Sequence, residues 1–128
     1  MSAWNPLRIL GLLLAATVGL SAVAALSATT GPSKGDPAAG KKIFTARCAP
    51  CHKADGTGGI KLTGNPTPNW KDPKTWADPK RTDDYLRDCI TNGKIKSGMV
   101  AWSKQGVKPA EIENLIAYIH TLAPAKKP

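Results

Sequence analysis

Side chains that bind metals or act as nucleophiles are scarce in this sequence. Its 128 residues include three cysteines, two histidines and two methionines, one of which is the initiator. A structural zinc site takes four ligands, usually as two separated pairs. Beyond one close group near residue 50, the chain has only Cys89 and His120, and these two do not cluster. The composition therefore argues against a zinc site.

The sequence also lacks the patterns of β-structure. No segment alternates apolar and polar residues as a half-buried strand does, and no internal repeat is present. A thioredoxin-like cysteine pair requires strands that alternate with helices. Because that alternation is missing, we set a thioredoxin-like site aside, and the remaining signals are those of helices.

Acidic residues are few, and they set the charge balance. The sequence has nine Asp and Glu and eighteen Lys and Arg, which gives a formal net charge of +9. No run of interleaved basic and aromatic residues marks a nucleic-acid surface, so we expect no nucleic-acid partner. Two interpretations stay open for the dispersed lysines. They form an electropositive docking face for an acidic partner, or they simply make a basic, soluble surface.

The one concentrated group of reactive side chains is Cys48-Ala49-Pro50-Cys51-His52. Two cysteines at this spacing with a histidine directly after them are typical of c-type haem attachment. Each thiol would add to one haem vinyl group, and His52 would ligate the iron. A plain disulfide between the two cysteines would leave the adjoining histidine unexplained. The motif therefore predicts one covalently bound haem c.

A second iron ligand is predicted in a different part of the chain. Met99 lies in a glycine-flanked turn and not in an apolar stripe, and methionine paired with histidine is a known haem ligation. His120 is the competing candidate, but it follows a stripe position of a predicted helix and should face solvent. We therefore predict His52 and Met99 as iron ligands.

The N-terminal segment indicates export. Arg8 precedes an uncharged apolar run over 9–28, and Ala22-Val23-Ala24 fits a signal-peptidase site. The alternative is a retained anchor, because 20 helical residues span about 30 Å, enough for a bilayer. We favour cleavage. Either way, the domain is expected in the periplasm, soluble or anchored to the cytoplasmic membrane.

The rest of the chain divides into a linker over 29–35, one domain over 36–124 and a tail over 125–128. A domain this small buries little apolar surface, and a haem would complete its core. Nine apolar side chains are candidates to wrap it: Phe44, Leu62, Trp70, Trp76, Leu86, Ile90, Trp102, Leu115 and Tyr118.

Three helices are predicted in this domain. The first runs from about 37 to 47 with Asp36 as its N-cap, and the second covers 82–93 with Thr82 as its cap. The third begins at Pro109 and ends before Pro124. Between the first two, residues 53–80 hold many glycines and prolines and are predicted as an ordered loop around one haem edge.

Four motifs together resemble the small monohaem class I cytochromes c of bacterial periplasms. They are the helix that leads into the haem motif (Gly40 to His52), the glycine loop 54–59, the methionine turn 97–102 and the C-terminal helix 111–122. The resemblance implies an all-α class I cytochrome c fold of three to five helices, with the first and last helices crossed. Gly40 and Phe44 would meet Leu115 and Tyr118 there.

Two positions depart from that family's pattern. Many relatives have proline where this chain has Ile60 and Val100. A backbone carbonyl near residue 60 is still expected to accept a hydrogen bond from His52 Nδ1, since every residue has that carbonyl. The second change puts the stiffness of the Met99 turn in question. Cys89, the third cysteine, is predicted to be a small buried apolar residue.

The expected function is one-electron transfer between redox proteins, without enzymatic chemistry. The alternative is a membrane-anchored haem c subunit of a larger oxidoreductase complex. A small haem enzyme or sensor would need an open iron coordination site, which the predicted Met99 ligand argues against.

Overall fold

The computed structural model describes residues 35–125. The apolar run 9–28, with both interpretations of it, therefore lies outside the described residues, as do most of the linker and the last three residues of the tail. Within 35–125, no helix is both long enough and apolar enough to cross a membrane.

The first helical run passes through the haem motif instead of stopping before it. Helix α1 (Pro37–Ile43) continues into a π-helical turn (Phe44–Cys48) and then into a short helix α2 (Ala49–His52). The predicted end near residue 47 is therefore wrong. The cause is the π turn, in which the Ala49 N–H donates to Phe44 O five residues back. This wider turn accommodates one extra residue, and the helical run continues beyond it. It ends at Lys53, whose φ is 60°.

The N-terminus of α1 is capped as predicted. The Asp36 carboxylate accepts from the Ala38 N–H at 2.8 Å, and Pro37 occupies the first helical position. This cap satisfies one of the orphan donors of the first turn.

Residues 53–80 are mostly loop, but they include one short helix that the sequence did not predict. Helix α3 (Pro73–Ala77) begins at Asp72, whose carboxylate accepts from the Lys74 N–H at 2.9 Å. Asp-Pro is the same start signal as at α1. The signal is harder to recognise in residues 53–80 because this segment contains several other prolines.

The two remaining helices lie where they were predicted. Helix α4 (Asp83–Asn92) is capped by Thr82 and closes at Gly93, whose φ is 77°. Helix α5 (Pro109–Thr121) begins with a proline and buries one apolar face. Short 3₁₀ turns over Ile95–Ser97 and Trp102–Gln105 connect them. The described residues contain no β-strand, only a single bridge between Lys94 and Met99.

Helices α1 and α5 cross in close contact. A Cβ atom placed on Gly40 would lie 1.9 Å from Asn114 O and 2.9 Å from Tyr118 Cβ, so only glycine lets the backbones meet. The Phe44 ring packs edge-on against Tyr118 at 5.2 Å between centroids. Phe44 and Leu115 are the most deeply buried large side chains. The predicted crossing is confirmed, as are the contacts of Gly40 and Phe44 with Tyr118, and Gly40 also meets Asn114.

Candidate haem site

A crevice with two lobes opens between the haem motif and the methionine turn. The lobes have volumes of about 240 and 210 Å³. Both are lined by Cys48, His52 and Met99, together with Thr67, Ser97 and Trp102. Two predicted iron ligands from distant parts of the chain thus face one space.

His52 ends α2, and its ring enters this crevice. The following loop holds its backbone, because the Gly58 N–H donates to His52 O at 3.1 Å. Burial lowers the pKa of the imidazole, so the neutral form that a metal requires is favoured. The Phe44 ring lies 6.3 Å from it and forms the apolar floor.

The bond expected for His52 Nδ1 is not formed in the described structure. The nitrogen is buried without a hydrogen-bond partner, and the Ile60 carbonyl accepts from the Thr67 N–H at 2.9 Å. The Thr67 hydroxyl makes two further hydrogen bonds: it accepts from the Ile60 N–H and donates to Cys51 O. The glycine loop is therefore tied to the haem motif through Thr67.

Cys48 and Cys51 are both half-buried free thiols. Burial raises the pKa of the Cys48 thiol to about 11, so this thiol is protonated near neutral pH. Cys48 lines both lobes of the crevice, whereas Cys51 lines only the smaller one. Both cysteines thus line the space that His52 also lines.

The turn that carries Met99 is fixed by its backbone. Lys94 N–H donates to Met99 O at 2.9 Å, and Met99 N–H donates to Lys94 O at 3.2 Å. Gly98 adopts a φ of 85°, which only glycine takes easily. These two hydrogen bonds stiffen the Met99 turn, whose stiffness was in question because this chain has Val100 where many relatives have proline.

His120 lies away from the crevice. Its Nε2 is 2.6 Å from Asp83 Oδ1, and its ring packs at 5.1 Å from Trp76. Nearly half of the side chain is exposed. The prediction that His120 faces solvent is confirmed, and the residue does not line either lobe.

The apolar walls follow the sequence prediction in part. Six of the nine predicted side chains line the larger lobe: Phe44, Trp70, Leu86, Ile90, Trp102 and Leu115. Leu62 lines only the smaller lobe, and Trp76 and Tyr118 line neither, because they pack behind Trp70 and Phe44.

Several lining residues were not expected from the sequence. Arg81, Tyr85 and Cys89 line the larger lobe, with the guanidinium of Arg81 stacked 5.4 Å from the Trp70 ring. Cys89 is buried, as predicted, and it lines this space. Tyr85 and Cys89 are four residues apart on α4, so a helical-wheel argument starting from Cys89 could have found Tyr85. No pattern marks Arg81.

These residues fit a haem. The buried polar side-chain atoms that lack a partner in the described residues are His52 Nδ1, Trp70 Nε1 and Arg81 Nε, and all three belong to residues that line the larger lobe. A crevice with apolar walls that is also lined by two cysteines, a histidine and a methionine matches that group. By contrast, no three His, Cys, Asp or Glu side chains of residues 35–125 form a cluster that could hold a zinc ion.

Comparison with known proteins agrees with this geometry. Residues 35–119 match the family described as cytochrome C oxidase, cbb3-type, subunit III. The cytochrome c6 of Rippkaea orientalis (strain PCC 8801 / RF-1) is 36% identical over 91 residues, which are 71% of this chain and 75% of that protein. No solved structure matches the chain.

Proposed function

This chain belongs to the cytochrome c family of small monohaem class I proteins, and from that premise we propose how its residues hold the haem and carry electrons. The haem, when bound, supplies reversible one-electron chemistry between Fe(III) and Fe(II). Cys48 and Cys51 provide the two thioether attachments, and His52 and Met99 provide the axial ligands. The convergence of Cys48, His52 and Met99 on one crevice is the observation that carries this assignment.

The crevice is suited to electron transfer and not to catalysis. With Met99 in place, no coordination position is left for a substrate. No aspartate or glutamate of the described residues lines either lobe, so the carboxylate acid–base groups of a hydrolytic or peroxide-cleaving site are missing there. We therefore propose a carrier without enzymatic activity.

The surface beside the methionine turn is proposed as the docking face for redox partners. The large exposed apolar side chains of the described residues are Leu62, Ile95 and Val100. Leu62 and Val100 line the smaller lobe, and Ile95 opens the 3₁₀ turn before Met99. We call these three side chains the apolar patch.

The two chain segments that form the apolar patch are basic. The segments that form it, 56–71 and 89–110, contain six lysines and no acidic residue. Among the acidic residues of α4 and α5, Glu113 pairs with Arg87 at 2.6 Å, and Asp88 pairs with Lys94 of the second segment at 3.7 Å. A partner with an apolar centre and an acidic rim would fit this face, steered by long-range attraction.

We place the domain on the periplasmic side of the cytoplasmic membrane. The apolar run 9–28 and its small-residue end support export. A second candidate function is a tethered haem c subunit of a membrane oxidoreductase. The match to an oxidase subunit family favours it, and it would use the same crevice and ligands.

Binding of carbon monoxide to the reduced protein tests the assignment. A stable bond from Met99 to iron predicts little or slow binding at neutral pH, because the gas must displace the thioether. Met99→Ala is the matched control and should bind quickly. Rapid binding by the unmodified protein would instead indicate an open site and a sensor or enzyme.

A further inference from the structure

His120 is a titratable side chain that the proposed electron transfer does not use. Its Nε2 atom lies 2.6 Å from Asp83 Oδ1 on α4, and 45% of the side chain is exposed to solvent. The sequence has two histidines, and the other one, His52, is the proposed iron ligand. Histidine is the side chain that changes its charge between pH 5 and 8. His120 is therefore the histidine that can exchange a proton with water when the iron is ligated.

The His120 ring also packs against an aromatic side chain that leads toward the crevice. Trp76 lies 5.1 Å from it between centroids, with 33° between the ring planes. Trp76 lies in turn 5.5 Å from the Trp70 ring and donates from its Nε1 to Trp70 O at 2.6 Å. Trp70 is only 4% exposed and lines the larger lobe. Three rings in series thus connect a solvent-exposed imidazole with the crevice, and we call Asp83, Trp76 and His120 the His120 brace.

Protonation should strengthen both contacts that hold the His120 ring. The Asp83 carboxylate accepts a hydrogen bond from Nε2, and a positive charge on the imidazole makes this bond charge-assisted and shorter. A cation within about 6 Å of an indole ring is attracted to that ring, so the contact with Trp76 is strengthened as well. The brace is therefore tighter when His120 is charged.

The charged groups around His120 leave Asp83 as its direct partner. Among the described residues, Asp83 is the only carboxylate within 4 Å of the imidazole. Asp84 on α4 and Glu113 on α5 both pair with Arg87. The remaining charged side chains of α3, of α4 and of the loop between them are Lys74, Asp78, Lys80, Arg81 and Asp88. The charge of His120 is thus met by one carboxylate on a neighbouring helix.

We propose that the His120 brace couples proton uptake at the protein surface to the oxidation state of the haem. This rests on the proposed function, which places the haem in the crevice that Trp70 lines. When a redox partner delivers one electron to Fe(III), a proton from water enters His120 at Nδ1 in a fraction of the molecules, while Nε2 keeps its hydrogen bond to Asp83. Trp76 is a positioning residue, because its bond to Trp70 O links the brace to the crevice.

The sign of the coupling follows from the charges. Ferric haem carries one more positive charge than ferrous haem, so a protonated His120 disfavours Fe(III). The reduction potential should therefore be higher where His120 is protonated, and it should fall as the pH rises through the His120 titration. Because coupling between two sites is reciprocal, the ferrous protein should bind the His120 proton more tightly than the ferric protein does.

The experiment follows the His120 ring by NMR and the potential by spectroelectrochemistry, both on the haem-loaded protein between pH 5 and 8. We expect the midpoint of the His120 titration to lie at higher pH in the ferrous protein than in the ferric protein. The potential should fall over the same pH range.

His120→Gln removes the titrating group and can still form a hydrogen bond with Asp83. It should lose most of the decrease in potential over this range. Lys74→Gln is the matched control, because it removes a positive charge from an exposed position on α3 and lysine stays charged throughout the range. It should shift the potential equally at every pH and keep the decrease.

Trp76→Phe tests the link to the crevice, because it keeps a ring beside His120 and loses the hydrogen bond to Trp70 O. His120 should still titrate in this variant, with a smaller difference in midpoint between the ferric and ferrous proteins. Asp83→Asn removes the carboxylate, so it should move the His120 midpoint to lower pH in both oxidation states.

Two results would overturn the proposal. One is the same His120 midpoint in the ferric and ferrous forms of the unmodified protein. The other is an undiminished difference in Trp76→Phe, which would show that the brace does not carry the coupling. Failure of the proposed function would look different, because the unmodified protein would then contain no covalent haem, or would lack the spectrum of methionine ligation.

Discussion

At the scale of single residues, the assignment depends most on Met99. The side chain lines the same crevice as His52, on a turn held by two backbone hydrogen bonds to Lys94. A thioether ligand raises the potential of a haem by favouring Fe(II).

We expect Met99→Ala to lose the methionine–ferric iron charge-transfer band. The potential should fall by on the order of 0.1 V, within the ~0.8 V range that axial ligands set. Optical spectra and potentiometry of the purified protein measure both effects. A Met99→Ala protein with the original band and potential would show that another group ligates the iron.

His120→Ala is the matched change at the other candidate ligand. Because His120 contacts Asp83 and Trp76 outside the crevice, the low-spin spectrum should not change. The lost contact with Asp83 is largely exposed, so its effect on the free energy of unfolding should be below about 1 kcal/mol. A high-spin spectrum would instead assign His120 to the iron.

Sequence reasoning at this scale found the residues with distinctive chemistry and missed those with common chemistry. The spacing of Cys48, Cys51 and His52 and the isolation of Met99 singled out residues that all line the crevice. Arg81 could not be predicted, because one arginine among eighteen basic residues has no distinguishing spacing. Its position depends on how the loop 53–80 packs, and that is a property of tertiary structure.

At the scale of elements, the crossing of α1 and α5 holds the haem motif in place. The crossing point is Gly40, where even one added carbon would meet Asn114 O and Tyr118. Since α1 continues through the π turn into α2, a shift of α1 would move Cys48 and His52 with it.

Gly40→Ala tests this crossing, because it should lower the free energy of unfolding although alanine normally stabilises a helix relative to glycine. Helix propensity alone favours alanine over glycine by about 0.5–1 kcal/mol. The clash should outweigh that gain and cost about 1–3 kcal/mol, as overpacking typically does. Denaturant unfolding of the haem-loaded protein measures the difference.

Ala38→Gly is the control for Gly40→Ala, because residue 38 is exposed on the same helix. It should lose only the propensity difference of about 0.5–1 kcal/mol. A Gly40→Ala protein as stable as the original would show that the two helices do not meet there.

The start of a helix was predictable where a capping residue or a proline directly precedes a periodic apolar face, as at Thr82 and Pro109. The C-terminal end of the first helix was not. The π turn depends on how the haem motif packs in the folded chain, and no residue between 44 and 48 is a helix breaker that would have marked it.

At the scale of the whole molecule, the charge pattern supports docking beside the methionine turn. Leu62 and Val100 of the apolar patch line the smaller lobe. Lys61 and Lys96 adjoin Leu62 and Ile95 in the chain, whereas Lys41 and Lys42 lie on α1. Electrostatic steering should therefore depend on which lysines are removed.

An electrode coated with a carboxylate-terminated monolayer can stand in for an acidic partner. Adsorption and electron transfer should weaken as salt rises from about 0.01 to 0.15 M, as the Debye length falls from about 30 to 8 Å. Adsorption and electron transfer should weaken more in the double variant Lys61→Gln with Lys96→Gln than in the double variant Lys41→Gln with Lys42→Gln. Equal effects of the two pairs would mean that net charge matters and a defined face does not.

The central claim is that Cys48 and Cys51 hold one haem covalently, and intact-mass spectrometry of the purified chain tests it most directly. In cells that mature c-type cytochromes, we expect the mass of the polypeptide plus one haem, retained under denaturing conditions. A variant with both cysteines changed to alanine should give the bare polypeptide mass. The bare mass for the unmodified chain would contradict the claim.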